Sequence, residues 1–284
     1  MIDDNTHPMA TTQPPGAHRD IAYVTNGHER QKLDLYLPDA ANKPCPLIIW
    51  VHGGGFKMGS KEGGTLGNSV PLEYLEQGYA LASINYRLSQ HAIFPAQIED
   101  CKAAVRWLRT HAPRFNIDSN RFGAWGPSAG GHLVAMLGTA GHVAAFEVGE
   151  NLDASSRVQC VVDYYGPTDF LQMDAQRMQD GQIHDGADSP ESELVGGAIQ
   201  QNKAATARAN PISHVLPDAP PFLIVHGDAD PLVPHGQSVI LVEALQNARV
   251  PVTFYTVKGA GHGRFTDPAL PGLTRAFLAR HLCT

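Results

Sequence analysis

Apolar and polar positions along this chain change period from block to block, and each period predicts an element. Ile21 to Thr25 and Leu33 to Leu37 read as two short strands around a turn at Asn26-Gly27. Leu33-Asp34-Leu35-Tyr36-Leu37 alternates as a half-exposed antiparallel edge does. A loop covers residues 38–46, and Leu47 to Val51 is a continuous apolar run, the mark of a strand buried on both faces. Leu72 to Gln77 predicts a helix closed by Gly78, and Ala80 to Asn85 a strand. Between Gln97 and His111, the residues Ile98, Cys101, Val105 and Leu108 share one helical face, and Pro113 stops that helix. Arg121 to Trp125 suits a strand, Gly131 to Leu137 a helix, and Val158 to Tyr164 a further buried strand. Farther on, strand Phe222 to His226, helix Gly236 to Asn247, strand Val252 to Val257 and helix Leu270 to His281 complete the series. Strands alternating with helices predict a mostly parallel sheet covered on both faces, an α/β fold.

The pattern breaks from Pro167 to about Pro217, where helical patterning is weak and no buried strand appears. Residues 169 to 200 carry seven acids against one base, Arg177, a local charge of −6. The segment is expected to be a small cap insertion in one domain spanning residues 21–284. Residues 1–20 are polar and Pro-rich and read as a flexible lead-in without the apolar centre of a secretory signal. The expected compartment is the cytoplasm for the chain as written, or the periplasm or exterior if a native leader has been removed.

Composition narrows the partners. A hydrophobic content of 43% with 17% charged residues suits a chain that buries a sizeable core. The net charge of −7, with no basic run, argues against nucleic acid and against anionic membrane surfaces. No run approaches the roughly 18 apolar residues of a membrane helix, so no membrane insertion is expected. Four cysteines without a C-x-x-C are expected to be free thiols, and the histidines have no metal-ligand spacing. Neither metal nor organic cofactor is expected. Oligomeric state stays open.

The chemistry concentrates at Gly126-Pro127-Ser128-Ala129-Gly130, between a strand and a helix. A turn that tight needs near-absent side chains beside the serine, and glycine supplies the dihedrals. Such an elbow lifts Ser128 Oγ out of the sheet and aims the Ala129 N–H at whatever the serine attacks. A serine nucleophile needs a base, and the base needs an orienting acid. Both follow at the ends of later strands. Asp228 and Asp230 compete for the acid. Asp228 suits a turn, whereas Asp230, held extended by Pro231, projects its carboxylate, and is favoured. His262, in the loop Lys258-Gly259-Ala260-Gly261-His262-Gly263, is the base. Gly54 and Gly55, in His52-Gly53-Gly54-Gly55-Phe56, join Ala129 as expected oxyanion-hole donors, each worth roughly 3 kcal/mol. Phe56, Pro127, Tyr165 and Phe170 are candidates for the substrate pocket. His52 is expected to hold the glycine loop, His132 to pack on a helix start, His226 to be buried, and His235 to lie near the Asp230 loop. Tyr86-Arg87 is expected to support the site.

The runs HGGGF, GPSAGGHL, HGDADPLVP and GAGHG resemble the HGGG-bearing α/β-hydrolase esterases, the hormone-sensitive-lipase-like group, and within it the bacterial carbohydrate-ester and feruloyl-type esterases. The resemblance spans about Ile21 to His281. It implies the α/β-hydrolase fold, with Ser128, Asp230 and His262 as triad and the glycine loop as oxyanion hole. It implies a serine carboxylesterase acting on a small-molecule ester, with short acyl groups (acetyl or hydroxycinnamoyl on carbohydrate included) as the default. Pro127 departs from the polar residue of many relatives. The segment before Ile21 is shorter than the N-terminal cap of many, so the insertion from Pro167 is expected to supply the lid. An amidase, peptidase or formamidase would use the same triad. A non-catalytic binding homologue would lack a member of it, and none is missing here.

Overall fold

The computed structural model describes residues 16–39, 43–63 and 69–283. Residues 1–15 of the expected lead-in and 40–42 of the expected loop lie outside the described residues. Eight strands form one sheet: β1 (Ala17–Ala22), β2 (Lys32–Tyr36), β3 (Cys45–Val51), β4 (Ala80–Ile84), β5 (Ile117–Pro127), β6 (Cys160–Tyr164), β7 (Phe222–Gly227) and β8 (Val252–Val257). Their order is β1-β2-β4-β3-β5-β6-β7-β8. β1 and β2 are antiparallel to their neighbours, and every pair from β4 onward is parallel. The helices are α1 (Ala96–His111), α2 (Ala129–Thr139), α3 (Met173–Gln176), α4 (Pro190–Val195), α5 (Lys203–Arg208), α6 (Gly236–Asn247) and α7 (Ala269–Leu282).

β3 shows how the sheet is covered. All seven of its residues are buried. Leu47, Ile49 and Val51 join the core with Ile98 and Leu108 of α1, Leu133 and Leu137 of α2, and Leu241 of α6. Ile48 and Trp50, pointing the other way, pack with Tyr74 and with Leu278 and Leu282 of α7. Successive strand side chains face opposite sides, so an unbroken apolar run demands a layer on each face. Each fully buried Leu or Ile contributes roughly 1.5–3 kcal/mol.

Three local readings differ from the structure. The first strand is Ala17–Ala22 rather than Ile21 to Thr25, and so takes in residues 17–20 of the expected lead-in. Half of its sequence AHRDIA is polar because it is a solvated sheet edge, which hides it from an apolar pattern. β2 is therefore not the edge, and Asp34 is fully buried, bonded to Arg19 Nη1 (2.6 Å) and Lys61 Nζ (3.0 Å). Leu72–Gln77 is a 3-10 helix, confined between Pro71 and a left-handed Gly78 (φ +82°).

Residues 167–217 hold α3, α4, α5 and two 3-10 turns, and no strand. Phe170, Met173, Leu194 and Ile199 from this segment are buried in the same core as α1 and α2. Cys45, Cys101 and Cys160 are buried free thiols and Cys283 is an exposed one. No helix among the described residues is long and apolar enough to cross a membrane.

Candidate active site

Ser128 stands between the C-terminal end of β5 and the first turn of α2, at φ +55° and ψ −124°. A non-glycine residue there is strained by roughly 1–3 kcal/mol and persists because its surroundings over-determine it. Ser128 N donates to Tyr164 O (2.8 Å), and Ser128 O accepts from His132 N (3.0 Å). The flanking glycines have steric causes. A Cβ on Gly126 would lie 2.4 Å from Gly130 O, and one on Gly130 would lie 2.0 Å from Val51 O. β3, the elbow and α2 therefore meet backbone to backbone.

The ends of β7 and β8 bring up the partners. His262 Nε2 is 3.0 Å from Ser128 Oγ, and His262 Nδ1 is 2.7 Å from Asp230 Oδ2. Because the carboxylate only accepts, Nδ1 carries the proton, and Nε2 turns its lone pair to the serine hydroxyl. Asp230 is 2% exposed. Burial alone would raise its pKa, but hydrogen bonds from His226 and His262 prevail and hold it well below the usual carboxylate range. Its Oδ1 accepts from Leu232 N (2.8 Å) and Val233 N (2.9 Å). Asp228 lies apart, bonded to Lys258 Nζ (3.0 Å) and Gly259 N (2.6 Å).

His226 is buried as expected, but it also belongs to the site. Its Nε2 lies 3.2 Å from Asp230 Oδ2 and 3.0 Å from Val233 O, two acceptors, so Nε2 carries the proton. Its Nδ1 then accepts from Ser238 Oγ (2.7 Å). Its place in the sequence, four residues before Asp230 at a strand end, was the available signal. His235 bonds Thr256 Oγ1 (3.1 Å) and packs edge-on against His226.

The glycine loop sits over the serine. Gly54 (φ +120°) approaches the Met58 carbonyl so closely that a Cβ would lie 2.2 Å from its oxygen. Among the described residues, no hydrogen-bond acceptor takes the N–H groups of Gly54, Gly55 or Ala129. Arg30 Nη2 donates to His52 Nε2 (3.1 Å), which leaves His52 Nδ1–H to donate to Gly53 O (2.7 Å). Burial lowers the His52 pKa to about 3, so the ring stays neutral and ties down the loop. Tyr86 donates to His52 O (3.0 Å), whereas Arg87 pairs with Asp100.

A cavity of about 300 Å3 opens at Ser128 and His262. Gly54, Gly55, Phe56 and Ala129 line it, together with residues that sequence reasoning missed: Met58, Gln182, His184, Glu191, Leu232 and Val233. Most of these come from the insertion or from the acid loop, where only the fold brings them to the serine. Three expected pocket residues lie elsewhere. Pro127 is buried at the end of β5. Phe170 is fully buried, stacked on His132 (4.9 Å between ring centroids). Burial lowers the His132 pKa to about 4. Tyr165 packs edge-on behind the His262 ring (4.7 Å) and faces a separate cavity with Trp125 and Phe265.

The sheet order, the crossovers and the strand–elbow–helix are those of the α/β-hydrolase fold, and the chain is an esterase of that class. A family model described as BD-FAE matches residues 33–245, and the chain belongs to that family. It is 32% identical to Esterase LipC of Mycobacterium tuberculosis over 97% of its length and 69% of that protein. Esterase LipQ of the same organism is 31% identical over 88% of this chain, which spans 59% of that longer protein. A solved structure described as a truncated form of carbohydrate esterase from gut microbiota is 32% identical, with a TM-score of 0.87, covering 97% of this chain and 99% of that one.

Proposed function

We propose that the chain is a serine carboxylesterase in which Ser128 is the nucleophile, His262 the base and Asp230 the acid. The observation that carries this is the unbroken series Asp230–His262–Ser128, with contacts of 2.7 and 3.0 Å, beside three backbone N–H groups that have no acceptor among the described residues. His262 takes the proton of Ser128 as Oγ bonds to the ester carbonyl carbon. The N–H groups of Ala129, Gly54 and Gly55 stabilise the oxyanion. When the C–O bond breaks, His262 Nε2 gives its proton to the leaving alcohol. Water, deprotonated by His262, then displaces Ser128 from the acyl group. The substrate is a small-molecule ester.

The acyl group is short. The cavity of about 300 Å3 stands at the lower end of the range for ligand sites, and it must hold parts of both halves of the ester. The likeness to a carbohydrate esterase favours a sugar as the alcohol half, and the small cavity an acetyl group as the acyl half. Turnover of p-nitrophenyl esters from two to ten acyl carbons tests the reading. kcat/KM is expected to peak at acetate or butyrate and to fall at least tenfold by octanoate. A maximum at eight carbons or more refutes the short pocket.

A further inference from the structure

The base must keep one orientation while its partners change. Among the described residues, Gly261, His262 and Gly263 make no backbone hydrogen bond. The torsion that turns a histidine ring has broad minima, so the neighbours decide where its nitrogens point. Two hydrogen bonds hold the His262 ring, from Nδ1 to Asp230 and from Nε2 to Ser128. Once Ser128 Oγ is acylated it has no proton to share, and only the bond to Asp230 is left. Packing must then hold the ring. Tyr165 stands beside it, in the turn after β6, at φ +45°. A bulky side chain rarely enters that region, and a strained residue kept there points to a site that needs it. A glycine would take the same φ without strain but would bring no ring. The Tyr165 N–H donates to Val225 O of β7 (2.8 Å), and the carbonyl of the preceding Tyr164 accepts the Ser128 N–H (2.8 Å). The Tyr165 ring is 1% exposed and meets the His262 ring edge-on, with centroids 4.7 Å apart and planes at 65°. Phe265 (5.3 Å) and His226 (6.3 Å) close on it from other sides. A Cβ on Gly263 would lie 2.9 Å from Tyr165 Oη and 3.3 Å from its Cζ, so the chain beside the base is laid directly on this ring.

We propose that Tyr165 is a positioning residue that fixes the plane of the His262 ring, and with it the aim of Nε2 at the reacting oxygen. The inference rests on the ester-hydrolysis reading and deepens it. The Tyr164–Tyr165 pair sets both sides of the contact between nucleophile and base. The Tyr164 carbonyl holds the backbone of Ser128, and the Tyr165 ring backs His262. A reacting group misplaced by about 1 Å costs about a hundredfold in rate. Tyr165 does not line the cavity at Ser128, so its loss falls on kcat and leaves substrate binding alone.

The test measures kcat and KM on p-nitrophenyl acetate, and the rate of fluorophosphonate labelling at Ser128, for the full chain. Tyr165→Leu fills the space without a flat ring. It should lower kcat by about tenfold to a hundredfold and change KM less than about threefold. Labelling should slow by about the same factor as kcat, because both reactions need His262 to take the serine proton. Tyr165→Phe, which keeps the ring, should recover both rates to within about threefold of wild type. Gly263→Ala carries the test should the leucine variant lose its thermal melt. Its Cβ meets Tyr165 Oη at 2.9 Å, so it should cost about tenfold in kcat alone and at least about threefold less when combined with Tyr165→Phe, which removes that oxygen. A folded Tyr165→Leu enzyme with kcat within about threefold of wild type overturns the proposal. So does a loss of turnover with labelling at the wild-type rate, an equal loss for Tyr165→Phe, or the same cost of Gly263→Ala in both backgrounds. A wild type that neither turns over the ester nor labels at Ser128 overturns the esterase reading itself.

Discussion

Replacing Asp230 by asparagine isolates the proton logic of the site. Oδ1 accepts two backbone N–H groups, from Leu232 and Val233, while Oδ2 accepts from His262 Nδ1 and His226 Nε2. An asparagine at 230 keeps its carbonyl oxygen against the two backbone donors and turns its NH2 to both histidines. His262 must then present a lone pair at Nδ1, so its proton moves to Nε2. That nitrogen faces Ser128 Oγ at 3.0 Å and can no longer accept its proton. His226 keeps its Nε2–H on the Val233 carbonyl (3.0 Å) and its Nδ1 on Ser238 Oγ. The backbone bonds to Oδ1 and those of His226 persist, so the fold is retained while the base is lost. The expected fall in kcat is about ten-thousand-fold, or about 5 kcal/mol of barrier. The assay is kcat on p-nitrophenyl acetate at pH 8 beside a thermal melt. Asp228→Asn, on the neighbouring carboxylate bonded to Lys258, is the control and should change kcat less than about twofold. An Asp230→Asn enzyme within tenfold of wild type, or an equal loss for Asp228→Asn, would refute the reasoning.

Two further predictions concern stability. Gly130→Ala puts a Cβ 2.0 Å from Val51 O and 2.8 Å from His52 O, both backbone atoms that cannot swing away. It should destabilise by about 3 kcal/mol or more in urea unfolding, and a loss below 1 kcal/mol would show that β3 and α2 can slide apart. Asp163, fully buried at the end of β6 with Gly166 N donating to it (3.0 Å), has its pKa pushed up to about 7 by burial. The folded state therefore holds a proton that the unfolded chain releases near pH 3.9. The stability is fully present below that pH and is lost as pH rises toward 7, by up to about 4 kcal/mol. Asp163→Asn should melt higher than wild type at pH 8, with the gap shrinking at pH 4; the same gap at both would contradict a protonated Asp163.

The elements that were legible in the sequence share a cause. β3, β7, α6 and the elbow are dictated by local patterns: an apolar run, a helical stripe, two glycines beside a serine. The order serine, acid, histidine is likewise written along the chain, because each group follows a strand. What was not legible is set by tertiary contact. β1 is polar because it is an edge, and Asp34 reads as a solvent-facing residue until β1 and Lys61 enclose it. Tyr165 and Phe170 flank the start of the insertion, yet the turn after β6 sends both behind the cavity rather than into it. His184 and Glu191 lie in an acidic run that reads as a solvated surface. They are buried only because the insertion folds back onto the acid loop and the sheet.

The most direct measurement of the central claim is reaction with a fluorophosphonate, followed by mass analysis of the intact and digested protein, with Ser128→Ala alongside. The account predicts one adduct per chain, on Ser128, appearing in step with loss of p-nitrophenyl acetate turnover, and neither adduct nor turnover in Ser128→Ala. Labelling at another residue, or ester turnover that survives in a clean preparation of Ser128→Ala, would contradict it.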